Sequence, residues 1–458
     1  MALSSKRRFA ALSGIVAVAL TATACGGGDG GDGGDTGGDT SAGTIDCAPY
    51  KAFGDIKGKT VSVYTSIVAP EDASHIESYK PFEECTGATV KYEGSKEFEA
   101  QLPVRVKGGN APDIAYLPQP GLLKTMVATG QVKPAPAETG ANVDKWFGED
   151  WKAYGTVDGT FYAAPLGANV KSFVWYSPSA FADKGYTVPK TWDELLSLSD
   201  KIAADNPDSK PWCAGIESGD ATGWPATDWV EDVMLRTAGP ETYDKWVNHE
   251  IPFNDPAVAT ALAEVGKILK NDKYVNGGQG DVKTIASTAF QDAGLAIQDG
   301  SCWMHRQASF YAANWPEGTK VAEDGDVWAF YLPAKDESTK PVLGGGEFVA
   351  AFADRPEVKA FQTYLASDVW ANAKAKTTPA AGGWLSANTG LDINLLKTPM
   401  DKLSAEILQD DAAVFRFDGS DLMPGAVGAG SFWKGMTDWI VGKDDKATLD
   451  FIEQSWPK

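Results

Sequence analysis

The sequence predicts an α/β fold in which helices alternate with the strands of a parallel sheet and cover both of its faces. KTVSVYTS (59–66) alternates valine and tyrosine with small or polar residues, as a strand does. EDASHIESYKPFEE then predicts a helix, ATVKYEG a strand, SKEFEAQLPVRVK a helix and PDIAYLP a third strand. Ligands of such sheets bind beyond the carboxyl ends of the strands. Ser66 and the turn at 118–121 are therefore expected near a site.

The rest of the chain continues this alternation. Residues 160–176 predict a nearly continuous strand, and PKTWDELLSLSDKIA predicts a helix in which Thr191 and Glu194 have capping-box spacing. VLGGGEFVAAFA predicts a strand, which is followed by a helix from near Pro356 and a final helix around 432–441. Because 458 residues are too many for a single small core, two domains are expected.

Composition and motifs exclude several functions. A net charge of −21 argues against nucleic acids and anionic membrane surfaces as ligands. GDIKGKT (54–60) has three residues between its glycines where a phosphate-binding loop needs four, so it predicts a turn before the first strand. Neither GxSxG nor HExxH occurs, and His75, His249 and His305 lack metal-ligand spacing. We therefore expect no catalytic group, cofactor or metal, and the 16 tryptophans point instead to stacking surfaces.

The first 46 residues predict export and anchoring. KRR precedes FAALSGIVAVALTATA, a secretory signal pattern too short to span a membrane as a helix. Residues 1–24 therefore predict a lipoprotein signal peptide, and Cys25 the lipid-modified first residue of the mature chain. The Gly/Asp-rich stretch 25–46 cannot offset the entropy of ordering its backbone and predicts a flexible linker. We expect an extracytoplasmic protein held to the cell membrane by lipid alone; the alternative is a signal peptide with an incidental cysteine.

With Cys25 set aside, four cysteines remain. In an oxidising compartment this number suggests two disulfides, for which the sequence allows three pairings. We favour Cys47–Cys85 and Cys213–Cys302, because each bond then stays within one structural region.

Seven stretches follow one another along the chain: APDIAYLPQPGLL, GTFYAAPLGANVKSFVWYSPSAF, PKTWDELL, ESGDATGWPATDWVED, DGSCWMHRQASF, VLGGGEFVAAFA and DLMPGAVGAGSFWKGMTDWIVG. In this order they resemble the extracytoplasmic sugar-binding proteins of ABC importers, in the maltose/oligosaccharide-binding group. GGWLSANTG with FDGSDLMP further resembles the α-glucoside-binding branch. The resemblance implies a two-lobe periplasmic-binding-protein-like fold, with a hinge of crossing strands and the sugar closed between the lobes. It places lobe one at 47–166 plus 343–400, and lobe two at 167–342 plus 401–458.

The resemblance also implies sugar contacts, because pyranose rings offer apolar faces to aromatic rings and hydroxyl rims to polar groups. Leu117 replaces an aromatic residue of the family, and Gln119 beyond it can bond hydroxyls instead. Asn169 and Lys171 lie at the lobe crossing, where a structural role is the alternative. The expected substrate-binding residues are Trp433, Trp384, Trp224, Phe310, Gln119, Arg306, Gln307, Glu347 and Asp421. Each has a structural alternative, such as a core position for the aromatic residues and an ion pair with a neighbouring carboxylate for Arg306.

The expected function is the substrate-binding component of an ABC transporter that captures an oligosaccharide, an α-glucoside, outside the membrane. Hinge closure would deliver it to the transmembrane permease subunits, and we expect a monomer. Two alternatives remain. A receptor for a non-sugar solute such as a polyamine or phosphate needs a charged cleft, and an extracellular glycosidase or lyase needs an acid/base pair of carboxyl groups.

Overall fold

The computed structural model describes residues 46–275, 280–335, 338–408, 410 and 413–457. The predicted signal peptide, Cys25 and the linker up to residue 45 lie outside the described residues, so these remain predictions. Within the described ranges, no helix is long and apolar enough to cross a membrane.

The strands, in chain order, are β1 Thr60–Thr65, β2 Thr89–Gly94, β3 Ile114–Leu117, β4 Thr156–Val157, β5 Thr160–Phe161, β6 Ala163–Pro165, β7 Asn169–Val170, β8 Phe173–Tyr176, β9 Lys210–Trp212, β10 Cys302–Arg306, β11 Trp328–Tyr331, β12 Pro341–Gly345, β13 Phe348–Ala351 and β14 Val414–Phe417. The helices are α1 Asp72–Glu77, α2 Lys80–Thr86, α3 Phe98–Lys107, α4 Pro120–Val127, α5 Ala137–Trp146, α6 Glu149–Tyr154, α7 Pro178–Lys184, α8 Trp192–Asp205, α9 Trp224–Thr237, α10 Pro240–Val247, α11 Pro256–Leu269, α12 Phe290–Ala293, α13 Ala296–Asp299, α14 Pro356–Leu365, α15 Asp368–Thr377, α16 Pro399–Leu408, α17 Gly419–Leu422, α18 Trp433–Ile440 and α19 Asp445–Glu453.

The first large sheet has the strand order β2-β1-β3-β13-β6. β1 pairs in parallel with β2 and β3, while β13 runs antiparallel to β3 and β6. Val63 and Tyr64 of β1 pack into different hydrophobic clusters, so alternate residues face the two sides of the sheet. The expected cover on both faces is therefore present, whereas the expectation of an all-parallel sheet is corrected by β13.

The second large sheet has the order β11-β8-β10-β9 and supports the largest hydrophobic cluster. Trp175 on β8 and Trp212 on β9 are fully buried in that cluster, so these tryptophans are core residues. Cys213, just after β9, is joined to Cys302 at the start of β10, with the Cα atoms 5.5 Å apart. Cys47 is joined to Cys85 of α2 beside the first sheet, so each disulfide stays within one region.

A small sheet of order β14-β12-β7 carries the chain between the two large sheets. The single strand predicted at 160–176 is divided into β5, β6, β7 and β8, and VLGGGEFVAAFA is divided into β12 and β13, so continuity was wrong in both cases. The physical reason is that each segment crosses from one sheet to another. A Cβ atom on Gly346 would overlap the carbonyl oxygen of Gly167, and one on Gly344 would lie 2.7 Å from that of Asn169. Glycines let the crossing segments touch backbone to backbone.

Several local predictions are confirmed, with two corrections. GDIKGKT forms a turn before β1. Thr191 Oγ1 accepts a hydrogen bond from the N–H of Glu194, but Glu194 Oε2 accepts from the N–H of Lys190 instead of Thr191, so the capping box is shifted by one residue. The predicted final helix, α18, is followed by another helix, α19.

Candidate functional site

A cavity of about 180 Å³ lies among loops of both large sheets and the crossing segments. On one side are the loops after the carboxyl ends of the parallel strands β1, β2 and β3, as expected for a sheet of this kind. On the other side are the starts of α9 and α18. The lining residues are Ser66, Ile67, Val68, Glu71, His75, Lys96, Glu99, Pro118, Gln119, Gly167, Ala168, Asn169, Lys171, Ser218, Ala221, Trp224, Phe290, Gln291, Phe310, Gly346, Glu347, Gly383, Trp384, Asp421 and Trp433.

Two tryptophans reach the cavity because two helices begin side by side. Trp224 is the first residue of α9 and Trp433 the first of α18. Gly223 has φ +116°, and a Cβ atom there would overlap the carbonyl oxygen of Trp433, so glycine permits this close contact. The rings of Phe290 and Phe310 lie 5.0 and 6.0 Å from the Trp224 ring, centroid to centroid. The result is an aromatic wall along one side of the cavity.

Trp384 is both a core residue and a cavity residue. Its ring meets the ring of Trp370 edge to face, 5.7 Å away, and only 8% of the residue is exposed. Gly383 has φ +97°, and a Cβ atom there would lie 2.6 Å from the N atom of Ala313, so the loop packs against the turn that carries Phe310. Trp384 thus lines the cavity, as expected from the sequence, and also takes the core position that was its structural alternative.

Two buried carboxyl groups line the cavity on the side of the first large sheet, and burial raises their pKa values. Burial, together with the nearby Glu347, raises the pKa of Glu71 to about 8. Burial also raises the pKa of Glu347, although backbone hydrogen bonds at Glu347 and Gly167 oppose the rise. Burial lowers the pKa of Lys374 to about 7 against the attraction of both carboxyl groups, and its Nζ donates to Ser74 Oγ over 2.9 Å. Glu71 and Lys374 therefore change protonation near neutral pH.

A buried ion network lies where the crossing segments meet α9. Lys171 Nζ donates to Asp228 Oδ1 over 2.9 Å and also to Asp418. Arg306 donates from Nη1 to Asp228 Oδ2 over 3.1 Å and from Nη2 to Asp232 Oδ2 over 2.9 Å. Burial opposes ionisation, but Lys171 holds the pKa of Asp418 well below its usual range. Lys171 and Arg306 therefore neutralise the buried carboxylates of this network.

The same network contains three carboxylates with the spacing of a metal site. Ligand atoms of Asp228, Glu231 and Asp418 lie within 4.8 Å of one another. The Lys171 ammonium already bonds two of them, and Glu231 accepts from the N–H groups of Gly419 and Ser420 over 3.0 Å each. This cluster of carboxylates therefore suits the Lys171 ammonium better than a metal ion.

The structure brings seven of the nine residues expected from the sequence to the cavity: Trp433, Trp384, Trp224, Phe310, Gln119, Glu347 and Asp421. Arg306 and Gln307 do not line it. Arg306 lies at the end of β10 and is held by the acidic residues of α9, so its structural alternative, an ion pair, is what the structure shows. Gln307 Oε1 accepts from the N–H of Ala308 over 2.8 Å, and its carbonyl oxygen accepts from Trp175 Nε1.

Sequence reasoning missed several cavity residues. Glu71 and His75 follow β1 and reach the cavity from the start of α1, so their position beyond a strand's carboxyl end was a usable signal. Glu99, in the first turn of α3, follows β2 in the same way. Phe290 and Gln291 lie on the short helix α12 and carry no motif that singles them out.

Seven lining residues have a buried polar atom with no hydrogen-bond partner among the described residues. Four are side-chain oxygens that accept hydrogen bonds, two are indole N–H donors, and one is a histidine nitrogen that can do either. They are Glu99 Oε2, Gln119 Oε1, Asn169 Oδ1, Gln291 Oε1, Trp384 Nε1, Trp433 Nε1 and His75 Nδ1. An unmade buried hydrogen bond costs about 1–3 kcal/mol, so the cavity favours a ligand that makes many.

Residues 64–372 match the family of bacterial extracellular solute-binding proteins. The chain belongs to this family. It is 42% identical over 427 residues to the alpha-glucosides-binding periplasmic protein AglE of Rhizobium meliloti (strain 1021), and the match covers 89% of each chain. It is 41% identical to the osmoprotective compounds-binding protein GgtB of Synechocystis sp. (strain ATCC 27184 / PCC 6803 / Kazusa), over 88% of this chain and 94% of the other.

Solute-binding proteins of known structure share the fold. The bacterial solute receptor AcbH superposes with a TM-score of 0.72 and 20% identity, covering 87% of this chain and 97% of the receptor. A chitin oligosaccharide binding protein superposes with a TM-score of 0.69 and 20% identity, over 86% and 97% of the two chains. The two-lobe α/β fold and the family predicted from the sequence are confirmed; the predicted lobe boundaries stay predictions.

Proposed function

We propose that this solute-binding protein captures an α-linked glucoside in its cavity and delivers it, by hinge closure, to the permease of an ABC importer. AglE, which shares 42% identity over most of both chains, is an alpha-glucoside-binding protein, and this supports the choice of ligand. In this proposal the protein binds the glucoside and does not catalyse a reaction on it. The contacts come from both large sheets and the crossing segments, so a bound ligand favours the closed arrangement over the open one.

The observation that carries the proposal is the pairing of an aromatic wall with unpartnered polar atoms. Trp224, Phe290 and Phe310 offer ring faces and edges to apolar C–H groups. The unpartnered acceptors outnumber the fixed donors, Trp384 Nε1 and Trp433 Nε1, so the cavity suits a ligand rich in O–H donors. A neutral sugar has both an apolar ring face and a rim of hydroxyl groups.

The charges in the cavity argue against an ionic solute. Of its two lining lysines, Lys171 is already paired with Asp228 and Asp418, so it is not available to an anion such as phosphate. Burial raises the pKa of Glu99 to about 7 and of Asp421 well above its usual range, which weakens these groups as partners for a polyamine.

The number of contacts matches the affinity that a receptor needs. A tryptophan can bury about 150–250 Å², and hiding half of it at about 25 cal/mol per Å² gives on the order of 2–3 kcal/mol per ring. Micromolar binding requires about 8 kcal/mol net of association costs. Two stacked rings therefore need several hydrogen bonds beside them, and seven unpartnered atoms line the cavity.

We further propose that Cys25 carries the lipid that holds the protein outside the cell membrane, with the Gly/Asp-rich residues 26–46 as a leash spanning on average about 25 Å. The leash would let a ligand-loaded monomer reach the permease. Removing the thiol in a Cys25→Ala variant should release a soluble protein that still binds sugar. Retention of that variant in the membrane fraction would contradict the anchor.

The test is thermal unfolding of the chain from residue 46 onward with trehalose, sucrose, maltose, longer malto-oligosaccharides, cellobiose and xylobiose, and with spermidine and inorganic phosphate. At one hundred times its dissociation constant, a ligand adds about 2.7 kcal/mol to the free energy of unfolding. We expect this shift with an α-linked glucoside, none with its β-linked counterpart, and a smaller shift in Trp433→Ala. A shift with spermidine or phosphate alone would refute the proposed ligand class. Release of glucose from a bound α-glucoside would refute binding without catalysis.

A further inference from the structure

A second cavity lies next to the ligand cavity and shares Glu99 with it. Its volume is about 230 Å³. Its other walls come from both sides of the cleft, with Ala100 and Leu122 on α3 and α4, and Gly425 and Ala429 on the segment after α17. No aromatic residue is among the described residues that line it. We call this space the outer pocket.

Two turns meet at the boundary between the ligand cavity and the outer pocket. Residues 95–97 follow β2, and residues 218–221 precede α9. The N–H of Asp220 donates to the carbonyl oxygen of Lys96 over 3.3 Å. Lys96 lines the ligand cavity and Asp220 lines the outer pocket, so this main-chain bond stands between the two spaces. We call these two turns the partition.

Gly219 lets the two turns of the partition touch. It has φ +60°, and a Cβ atom there would lie 2.7 Å from the carbonyl oxygen and 2.9 Å from the Cβ atom of Lys96. Both distances are shorter than real Cβ atoms keep, so a side chain at this position would push the turns apart. The contact between the turns therefore requires glycine at residue 219.

Both turns of the partition are braced by further hydrogen bonds. Thr222 Oγ1 accepts from the N–H of Ser218 over 3.0 Å and donates to the carbonyl oxygen of Gly219 over 2.6 Å. On the facing turn, the N–H of Ser95 donates to the carbonyl oxygen of Thr65, at the end of β1, over 2.9 Å. Neither turn can therefore move aside without disturbing hydrogen bonds of its own side of the cleft.

The ligand cavity is small for a site that holds a long oligosaccharide. Sites for drug-sized ligands have volumes of about 300–1,000 Å³, whereas this cavity has about 180 Å³. The ligand cavity and the outer pocket together would fall within that range. A sugar unit in the outer pocket would meet no aromatic ring, so it would gain little affinity to offset the separation of the two turns.

We propose that the partition is a chain-length stop, which restricts the ligand to an α-glucoside of disaccharide size by closing the ligand cavity toward the outer pocket. The proposal deepens the proposed function and rests on it. Gly219 is the positioning residue of the stop. A further sugar unit enters the outer pocket only when Asp220 separates from Lys96, so longer glucosides bind more weakly than a disaccharide.

The test is calorimetric titration with the tightest-binding of trehalose, sucrose and maltose, and with the trisaccharide that adds one α-linked glucose unit to it: glucosyltrehalose, erlose or maltotriose. In the unmodified protein, the trisaccharide should bind at least about tenfold more weakly than the disaccharide. In Gly219→Ala the two turns are pushed apart, so this ratio should fall severalfold. Gly219→Asn should lower the ratio in the same way with less backbone strain, because asparagine tolerates positive φ.

Gly159→Ala is the matched control. Gly159 has φ +76° in the turn between β4 and β5, and a Cβ atom there meets no atom within 4 Å. The control therefore carries a similar backbone strain without touching the partition, and it should keep the original ratio of affinities. Melting temperatures without ligand check that all three variants are folded.

Equal affinity of the unmodified protein for the disaccharide and the trisaccharide overturns the proposal. An unchanged ratio in both Gly219 variants overturns it as well, because a partition that only supports closure would weaken both ligands alike. Loss of both sugars in both variants also overturns it, since the partition would then serve binding itself. In these cases the unmodified protein still binds a glucoside and the proposed function stands. If the unmodified protein binds none of these sugars, the proposed function fails and the chain-length stop fails with it.

Discussion

Single side chains decide what the cavity can hold. Trp433 is 3% exposed, yet its indole N–H has no partner among the described residues. A large ring that buries its faces in the protein and leaves its one donor unpaired is arranged for a polar ligand group. Trp384, 8% exposed and also unpaired at Nε1, has the same arrangement on the other side of the cavity.

Trp433→Ala should lower the affinity for the α-glucoside on the order of tenfold, because it removes the wall that the ring gives the cavity and an indole donor whose hydrogen bond is worth about 0.5–1.5 kcal/mol. Titration calorimetry measures the change, and the melting temperature without ligand checks that the variant is folded. Trp433→Phe keeps a ring without the donor and should bind with intermediate affinity. An affinity within twofold of the original in Trp433→Ala would contradict the assignment.

Gly167→Ala should abolish or strongly weaken binding, because the added Cβ atom would overlap Glu347 Oε2 and lie 3.7 Å from Trp384 Nε1. The carboxylate would then have to move out of its place in the cavity. Gly140→Ala is the matched control, since a Cβ atom there meets no atom within 4 Å and the residue lies inside α5. The control should bind normally and gain about 0.5–1 kcal/mol in stability. Normal binding by Gly167→Ala would show that Glu347 is not needed where it stands.

At this scale the sequence predicted aromatic residues better than charged ones. Trp224 and Trp433 stand in recognisable segments, and a large ring at a helix start has few alternatives once that helix borders a cleft. Arg306 sits in an equally recognisable segment, but its side chain turns toward Asp228 and Asp232 of α9. Which carboxylate an arginine finds depends on tertiary packing, which no local pattern encodes.

Among the elements, the crossing segments do most to join the parts of the molecule. β7 and β12 pair antiparallel, and β14 pairs in parallel with β12. Just beyond β7, Lys171 ties this small sheet to α9 through Asp228 and to the start of α17 through Asp418. The glycine run in VLGGGEFVAAFA was visible in the sequence, but its cause, a backbone contact with residues far away in the chain, was not.

Lys171→Met should lower the free energy of unfolding by about 3–5 kcal/mol, because it leaves the buried Asp418 without its cation and Asp228 with Arg306 alone. Urea unfolding at pH 7 measures this loss. Lys201→Met, which changes a lysine that is 54% exposed and paired with Asp205, should change stability by less than about 0.5 kcal/mol. Since the pKa of Asp418 is held low, its contribution is present above about pH 4 and is lost as the pH falls through its folded value. A loss of under 1 kcal/mol would mean that the network is not a structural tie.

For the molecule as a whole, the family and the two-lobe α/β architecture were predictable, because they rest on the order of many segments. The places where the chain crosses from one sheet to another were not predictable. The strand predicted at 160–176 enters several sheets, since a run of apolar residues looks alike whichever sheet receives it. Cavity residues such as Phe290 become visible only when distant loops are brought together.

The free energy of unfolding without ligand should fall as the pH rises from 5 to 7. Burial, together with the nearby Glu347, raises the pKa of Glu71 to about 8, and burial raises that of Glu99 to about 7. In this range the folded protein keeps protons that the unfolded chain, with carboxyl pKa values of about 4, has lost. Each such proton contributes a slope of up to about 1.4 kcal/mol per pH unit.

Urea unfolding at half-unit pH steps measures this slope. Glu71→Gln should flatten it, while Glu84→Gln, at an exposed glutamate, should leave it unchanged. Lys374, whose pKa is lowered to about 7, acts in the opposite direction at higher pH, so the prediction is confined to pH 5–7. Burial lowers the pKa values of His75 and His305, and these groups oppose the slope below about pH 6.5, so the contribution of Glu71 is measured as the difference between Glu71→Gln and the unmodified protein. A slope equal in Glu71→Gln and the unmodified protein would show that Glu71 ionises normally.

β13 lies between β3 and β6 in the first large sheet, although residues 166–347 separate it from β6 along the chain. During synthesis, which proceeds at about 5–20 residues per second, β3 and β6 emerge long before the strand that joins them. The nascent chain consequently cannot complete this sheet until β13 is made, because β3 and β6, the two strands on either side of it, do not pair with each other. Such a delay keeps the first large sheet incomplete for most of the time that the ribosome takes to make the chain.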